Sequence, residues 1–262
     1  MILTLSGHVL EVCAPTFGRR HRGIPPGGPA DRESATLAGA LVGKEKVFEC
    51  GPFPTGFEVI SAGTFAVVGA DLSVWHQGRP VNGNRRIHIE PGDVISIQGA
   101  PNGCRWYVAT SPRSLPPITL AQPPESLRKG PFRVLPGADT TKSELFGREW
   151  TVTLHSNRLG LRLHGDPIDP MPEMLSSPTQ VGCIQLPPSG QPIILGWDGP
   201  TVGGYPRIGQ IAKVDWDRLG QLRPGDTVTF EQISREDAVQ QLREREERIS
   251  NLVGKILLSA EG

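Results

Sequence analysis

The chain has 262 residues, enough for one large or two ordinary domains, and its 27 Lys plus Arg balance 27 Asp plus Glu, so the formal net charge is zero. A neutral chain lacks the basic excess of a general nucleic-acid or anionic-membrane binder, which leaves a small molecule or a protein as the expected partner. Its 32 Gly and 26 Pro favour short strands and turns over long helices.

The opening MILTLSGHVLEV has neither a basic segment nor a long apolar segment, so it predicts a first β-strand and not a signal peptide. No apolar run approaches the roughly 20 residues that a membrane span needs, and we therefore expect a cytoplasmic protein. The cysteines are far apart and have no His at metal-ligand spacing, so we expect reduced, mostly buried thiols and no metal site. They are Cys13, Cys50, Cys104 and Cys183.

The first half predicts two opening strands, at Ile2–Leu5 and Val9–Val12, and then one helix. Asp31 is the expected N-cap of that helix over Arg32–Val42, and Gly43 is its expected stop. Short strands at about ten-residue spacing follow, which is typical of a sandwich or a barrel. These strands are expected at Phe57–Ile60, Thr64–Val68, Leu72–His76, Arg86–Ile89, Val94–Ile97 and Arg105–Ala109.

A basic loop precedes the helix, reading FGRRHRGIPPGGPAD from Phe17 to Asp31. One interpretation is a solvated surface loop, since charged clusters are usually exposed. The other is recognition of a carboxylate or phosphate, because a guanidinium on a loop stiffened by Gly and Pro can bind two oxygens at once. The sequence leaves both open.

The second half repeats features of the first at an offset of about 130 residues, which indicates a duplicated β-domain. PFRVLPG resembles MILTLSG, HSNRLGLRLHG resembles FGRRHRG, and LRPGDTVTFEQI resembles IEPGDVISIQGA. We therefore predict a first β half over residues 1–110, a Pro/Ser-rich linker over 111–130 and a second β half over 131–233. A C-terminal helix is expected over 234–262, capped by Ser234, its apolar seam docking either on a barrel or on a partner.

The stretch Val181–Asp226 is dense in turn formers and contains the pair Gly203-Gly204. Adjacent glycines permit positive φ and remove side-chain bulk that would keep a ligand or another backbone segment away. An ordinary tight turn is one interpretation, and a ligand-contacting turn is the other, favoured by the polar residues around it.

Other catalytic motifs are absent: the sequence has no Gly-x-x-x-x-Gly-Lys-Ser/Thr loop and no Gly-x-Ser-x-Gly elbow. The remaining polar set suits a small amide, carboxylate or acyl-phosphate. Arg and Lys would bind negative charge, and the N–H groups of Gly203 and Gly204 would stabilise a developing oxyanion. Tyr205 or Asp215 would transfer a proton. The catalytic candidates are Tyr205, Lys213 and Asp215; the substrate-binding candidates are Arg22, Asn157, Arg158, Gln185, Thr201, Gly203 and Gly204.

Several segments resemble the allophanate hydrolase subunit 2 family over nearly the whole chain. They are SNRLGLRLHG, IQLPPSGQPIIL and TVGGYPRIGQIAKVDWDRLGQLRPGDTVTF in the second half, and GRRHRGIPPGGPADRESATLAGALVG in the first. The family includes the C subunit of bacterial 5-oxoprolinase and part of the carboxyltransferase domain of urea carboxylase. The resemblance implies a mainly β fold of two tandem cyclophilin-like β-barrel subdomains with few helices and a C-terminal helix.

The resemblance also implies partners: an allophanate hydrolase subunit 1 homologue, which is the B subunit of 5-oxoprolinase, and the lactam-utilisation protein, which is its A subunit. The implied activity is ATP-dependent opening of the lactam of 5-oxoproline to glutamate. The alternatives are biotin-dependent carboxyl transfer to urea and a non-catalytic regulatory role, such as antagonism of a kinase inhibitor. ATP would act at the level of the complex, and biotin would come from a partner, because this chain has no Met-Lys-Met-type acceptor.

The chain departs from the family in its middle. Family members continue after a strand like CRWYVAT with a Gly-Gly turn and a Gly-Ser-Arg-Ser-Thr-type loop, whereas here Ser111-Pro112-Arg113 leads directly into the Pro-rich segment. If the missing loop lines the active site, catalysis is altered or lost.

Overall fold

The computed structural model describes residues 2–43, 46–70, 72–99, 102–139 and 142–259. It divides into two units. Unit 1 comprises residues 1–13, 31–128 and 246–262, and unit 2 comprises residues 14–30 and 129–245. The basic loop that precedes the first helix is thus part of unit 2, although it is far from the rest of that unit in sequence.

Unit 1 holds eleven strands among its described residues, arranged in two sheets. They are β1 Ile2–Ser6, β2 Val9–Val12, β3 Val47–Cys50, β4 Thr55–Val59, β5 Gly63–Gly69, β6 Leu72–His76, β7 Arg79–Asn82, β8 Arg85–Ile89, β9 Val94–Gly99, β10 Trp106–Ser111 and β11 Ile118–Thr119. One sheet has the order β1-β4-β9-β6-β7 and the other the order β11-β8-β5-β10-β3-β2, with antiparallel pairing throughout.

The six-stranded sheet is buried on both faces, because successive side chains of a strand point to opposite sides. In β5, Phe65 and Val67 belong to the core shared with the five-stranded sheet, while Ala66 and Val68 belong to a second core with helix α1, Arg32–Val42. A small side chain such as Ala66 lets a helix approach the sheet closely. Every residue of β5 is buried as a result.

The first helix begins and ends where the sequence predicts. The Asp31 carboxylate accepts a hydrogen bond from the Ser34 N–H at 3.0 Å, which is an N-cap contact, and Gly43 closes the C-terminus with φ of 83°. The Asp31 N–H in turn donates to the buried Tyr107 hydroxyl at 2.7 Å, and Tyr107 donates to Glu49 at 2.8 Å. This buried polar network fixes the helix start on the sheet.

Unit 2 is built on an eight-stranded sheet of order β20-β13-β14-β17-β16-β19-β12-β21. Its two edge strands, β20 and β21, are separated in sequence by Thr229 alone, so the sheet nearly closes into a barrel. A two-stranded ribbon of β15 and β18 lies outside it. The strands are β12 Phe132–Pro136, β13 Trp150–Val152, β14 Gly160–His164, β15 Ser177–Pro178, β16 Cys183–Gln185, β17 Ile193–Leu195, β18 Val202–Gly203, β19 Arg207–Ile211, β20 Thr227–Val228 and β21 Phe230–Gln232.

Two further helices complete the described secondary structure beyond the strands, apart from short 3-10 turns. They are α2, Trp216–Leu219, and α3, Arg235–Leu258. Ser234 caps α3 as predicted, its hydroxyl accepting from the Asp237 N–H at 3.0 Å. Within the described residues, no helix has both the length and the apolar character that crossing a membrane would require.

The predicted fold class is confirmed: the protein is mainly β, with few helices, a C-terminal helix and a nearly closed barrel. The four cysteines are free thiols, of which Cys13 is exposed and the other three are buried.

Candidate functional site

The Gly203-Gly204 pair lies at the end of the ribbon, where β18 pairs with β15 through Gly203 and Ser177. A Cβ on Gly203 would lie 2.5 Å from Nε2 of Gln185, and one on Gly204 would lie 2.9 Å from the Met174 carbonyl oxygen. Neither glycine is among the described residues with positive φ. Close approach of neighbouring atoms, and not an unusual backbone conformation, is therefore the reason for glycine here.

Gln185 is a buried amide that sits directly beneath Gly203. Its side chain is on the outer face of β16, opposite to Ile184, which points into the barrel core. The residue is 4% exposed, and its Nε2 atom has no hydrogen-bond partner within the described residues. A buried donor without a partner costs about 1–3 kcal/mol, so the Gln185 amide has an N–H group available to a ligand or a water molecule.

Arg20, in the 3-10 turn Arg20–Arg22, holds the basic loop against the ribbon of unit 2. Its Nη2 atom donates to the carbonyl oxygens of Thr179 and of Pro200, the latter at 3.1 Å. No carboxylate of the described residues lies within ion-pair distance of it. Burial lowers the pKa of the Arg20 guanidinium, opposed in part by Cys183. A guanidinium still carries its charge at neutral pH, so this cation is partly desolvated and held by neutral groups only.

Arg158 anchors the other end of the basic loop within unit 2. Its guanidinium binds Asp198 in a two-pronged contact, Nε to Oδ2 at 2.6 Å and Nη2 to Oδ1 at 3.1 Å, and also donates to the Gly28 carbonyl at 2.6 Å. The adjacent Asn157 accepts from the Leu159 N–H at 2.8 Å through its amide oxygen, which stabilises the turn before β14. Both candidates thus have structural contacts.

Asp215 forms a buried ion-pair cluster. It is 0% exposed and accepts hydrogen bonds from the Arg133 N–H and Nε, both at 2.9 Å, and from Arg218 Nη1, also at 2.9 Å. Burial raises the pKa of the carboxyl, but the hydrogen bonds from Arg133 and the charge of Arg218 outweigh it and the net pKa is lowered. These contacts favour a permanently ionised structural carboxylate over a group that exchanges protons.

The other predicted site residues are spread along the same unit. Lys213 is exposed at the start of a 3-10 turn, Tyr205 is 37% exposed after the ribbon, and Arg22 is exposed on the basic loop. Thr201 is buried, and its carbonyl accepts from the Thr179 N–H at 3.0 Å. The structure thus brings Gln185, Thr201 and Gly203 to the ribbon, whereas the hydrogen-bond partners of the Asp215 carboxylate among the described residues are Arg133 and Arg218.

A cavity of about 330 Å³ opens on the outer face of β16 and β19. Within it, Arg207 binds Asp139 in a two-pronged contact, Nε to Oδ2 at 2.9 Å and Nη2 to Oδ1 at 2.7 Å. These hydrogen bonds lower the pKa of the Asp139 carboxyl to about 2, against a smaller opposing effect of burial. The lining residues are Leu135, Pro136, Ala138, Pro178, Thr179, Gln180, Cys183, Arg207, Gly209 and Gln210.

The sequence did not single out Arg207, Asp139 or Cys183 as site residues, and from the basic loop it selected Arg22 and not Arg20. Arg207 lies opposite Gln185 in the β16–β19 register, and Cys183 is two residues from Gln185 on the same strand. The alternation of side chains along β16, which places Cys183 and Gln185 on the face opposite Ile184, is the one sequence signal for this face.

The fold of unit 2 is that of a nearly closed β-barrel, and comparisons with known proteins identify the family to which such a chain belongs. The family model described as carboxyltransferase domain, subdomain A and B, matches residues 22–113 and 111–232. The chain therefore belongs to that family, as the sequence resemblance predicts.

Relatives and solved structures extend this similarity. The C subunit of 5-oxoprolinase from Haemophilus influenzae is 27% identical over 278 residues, covering 88% of this chain and 90% of the relative. The same subunit from Escherichia coli is 26% identical over 289 residues, covering 91% and 93%. The crystal structure of K. lactis urea amidolyase matches with a TM-score of 0.82 at 23% identity, over 96% of this chain and 20% of that chain.

The length of the alignment is consistent with the prediction that this chain is shorter than its relatives. The alignment to the Haemophilus influenzae protein spans 278 positions but covers 88% of this chain's 262 residues. The relative therefore contains residues that have no counterpart here. This chain also spans a fifth of the length of the urea amidolyase chain that it matches.

Proposed function

We propose that this protein is one component of a heteromeric amide-processing enzyme of the 5-oxoprolinase type, which opens the lactam of 5-oxoproline to glutamate with ATP. The observation that carries the proposal is similarity to two C subunits of 5-oxoprolinase over nearly their whole length, at 90% and 93% of each. The expected partners are the B and A subunits of such an enzyme, and the expected compartment is the cytoplasm.

The polar face of unit 2 supports this choice. Gln185 supplies a buried amide with a spare donor beside Gly203, and Arg20 supplies a positive charge that no carboxylate neutralises within the described residues. A substrate with both a lactam and a carboxylate matches such groups. Tyr205 and Lys213, both accessible to solvent, are the proposed proton-transfer groups, whereas the contacts of Asp215 support a structural role.

The remaining substrate-binding assignments stay within this proposal. Asn157 and Arg158 would shape the turn and the basic loop around the site, and Arg22 would reach substrate from the exposed side of that loop. Thr201 would hold the ribbon. The backbone N–H groups at Gly203 and Gly204 would bind a developing oxyanion.

The direct test is reconstitution. The chain is co-purified with its B and A partners, and 5-oxoproline-dependent ATP hydrolysis is measured beside an intact homologous complex. Turnover supports the proposal. No turnover, with partners that are active together with the homologous C subunit, refutes it.

Substitutions separate a catalytic role of this chain from a structural one. Lys213→Gln and Tyr205→Phe are each expected to lower kcat at least tenfold. Loss of a general acid or base typically lowers the rate by about 10²–10⁴-fold. Lys129→Gln, an exposed lysine of the same unit, is the matched control and should leave kcat unchanged. If both test variants keep full activity in an active complex, the proposed roles are wrong.

Biotin-dependent carboxyl transfer is the second candidate, favoured by the carboxyltransferase name of the family model. It predicts that activity needs a biotinylated partner and stops when avidin is added. A non-catalytic regulatory role is the third, favoured by the residues that this chain lacks relative to its relatives. It predicts complex formation without any dependence of turnover on Tyr205 or Lys213.

A further inference from the structure

We propose that the cavity on the outer face of β16 and β19 binds the carboxylate of a small monoanionic acid, and that Arg20 supplies the charge that recognises it. The inference rests on the proposed function for its choice of 5-oxoproline as the first ligand. It goes beyond that function in assigning a binding site and a recognition residue.

The cavity has the size and the walls of a small-molecule site. Its volume is about 330 Å³, and one wall is apolar, formed by Leu135, Pro136 and Ala138 of β12 and the segment after it, with Pro178 of the ribbon. Pockets for small ligands are typically a few hundred cubic ångströms, mainly apolar, with few polar groups that fix orientation. The volume suits an acid the size of an amino acid.

The polar groups of the opposite side are held in place by their neighbours. Gln210 Nε2 donates to the Val181 carbonyl at 2.8 Å, and Gln210 Oε1 accepts from Gln180 Nε2 at 3.1 Å. Gln180 therefore presents its amide at the rim in a defined position. Gln185, with its spare Nε2, lies on the same strand face as Cys183 of the cavity wall.

Two guanidiniums are placed to act on a ligand of the cavity: Arg207 lines it, and Arg20 lies beside it, against the lining residue Thr179. Arg207 is neutralised by Asp139 in the two-pronged contact. The Cys183 thiol is neutral at physiological pH, since burial raises its pKa to about 11. Arg20 does not line the cavity itself; it donates to the carbonyl oxygens of Thr179, which does, and of Pro200, and no carboxylate of the described residues forms an ion pair with it.

An anion is the ligand that such a charge distribution favours. A partly desolvated guanidinium is stabilised by a carboxylate far more than by neutral acceptors, because the charge-assisted hydrogen bond is about twice as strong. The two carbonyl contacts of Nη2 orient the Arg20 guanidinium. Its Nε and Nη1 N–H groups remain to bind a ligand. One guanidinium whose partners among the described residues are carbonyl oxygens suits one carboxylate.

The test is isothermal titration of the purified full chain with three probes of similar size. They are 5-oxoproline, which has the lactam and the carboxylate; cyclopentanecarboxylate, which has the carboxylate alone; and 2-pyrrolidone, which has the lactam alone. We expect the two carboxylates to bind and 2-pyrrolidone to bind at least tenfold more weakly. Absence of carboxylate binding, or equal binding of all three probes, overturns the proposal.

Variants tie the binding to Arg20 and to this cavity. Arg20→Gln should weaken carboxylate binding at least tenfold, and Arg19→Gln, the same change of charge at the exposed neighbouring residue, should not. Ala138→Trp fills the cavity from its exposed rim without removing a contact of Arg20, and it should abolish binding even if Arg20→Gln perturbs the loop. Unchanged affinity in both Arg20→Gln and Ala138→Trp overturns the proposal.

The outcome is separable from that of the proposed function. If the reconstituted complex consumes 5-oxoproline but the isolated chain binds no carboxylate through Arg20, this inference fails and the function stands. If the chain binds carboxylates through Arg20 but the complex has no 5-oxoproline-dependent turnover, the function fails and the site stands.

Discussion

Asp215→Asn is the most informative single substitution, because Asp215 is at once a predicted catalytic residue and the centre of a buried ion-pair cluster. The change removes one negative charge that is 0% exposed and that binds Arg133 and Arg218. Both guanidiniums, 17% and 9% exposed in their side chains, would then lose this shared counter-charge. Breaking one partner out of a buried ion pair costs about 3–5 kcal/mol.

We therefore expect the free energy of unfolding to fall by about 3–5 kcal/mol, measured by urea titration at pH 7. Glu11→Gln, which removes an exposed ion pair with Lys46 at 3.2 Å, is the control and should cost about 0–1 kcal/mol. A loss of activity in Asp215→Asn without a loss of stability would refute the structural interpretation and restore the catalytic one.

The pH dependence gives a second check on the same cluster. The folded-state pKa of Asp215 is lowered, so its contribution to stability is present above the unfolded pKa of about 3.9 and is lost as the pH falls through the folded value. The stability difference between wild type and Asp215→Asn should therefore be constant from pH 7 to about 5 and shrink below about pH 4. A difference that grows on acidification would contradict the reasoning.

Three single positions give further predictions. Gly203→Ala places a methyl group 2.5 Å from Gln185 Nε2, so the buried amide must shift. We expect the free energy of unfolding to fall by about 1–3 kcal/mol in a urea titration, and an unchanged midpoint would argue against the close approach. Gly254→Ala, on an open face of α3, should raise stability by about 0.5–1 kcal/mol, and a decrease would mean that the face is covered. Cys183 should react with iodoacetamide far more slowly than exposed Cys13 at pH 8 and accelerate toward pH 11, by peptide mass spectrometry, whereas equal rates would contradict its burial.

Local signals were sufficient for the elements that depend on neighbouring residues. Asp31 and Gly43 bound the first helix as predicted, and Ser234 begins the last one. Alternation and turn residues located eight of the eleven described strands of unit 1 to within two residues, because a half-buried strand imposes its period on the sequence. The short edge strand β7, Arg79–Asn82, was not predicted, since it has little apolar content and contains Pro80.

The candidate site depended on contacts between residues far apart in the chain. Arg19, Arg20 and Arg22 lie in one basic loop, from which the sequence analysis selected Arg22, and only the fold shows that Arg20 binds the carbonyl of Thr179 while the other two are exposed. The sequence allowed two reasons for glycine at position 203, a positive φ or the close approach of neighbouring atoms. Its φ is not positive, and the Gln185 side chain lies too close for a Cβ, so close approach is the reason.

The sequence by itself determined the mainly β class, the two long helices and the family, because each follows from local periodicity, capping residues or a contiguous motif. Only the tertiary structure decided which polar residues have partners. It buried Asp215 between Arg133 and Arg218 and left Arg20 with carbonyl oxygens alone, because burial and ion pairing are set by the segments that pack together and not by the residues next in the chain.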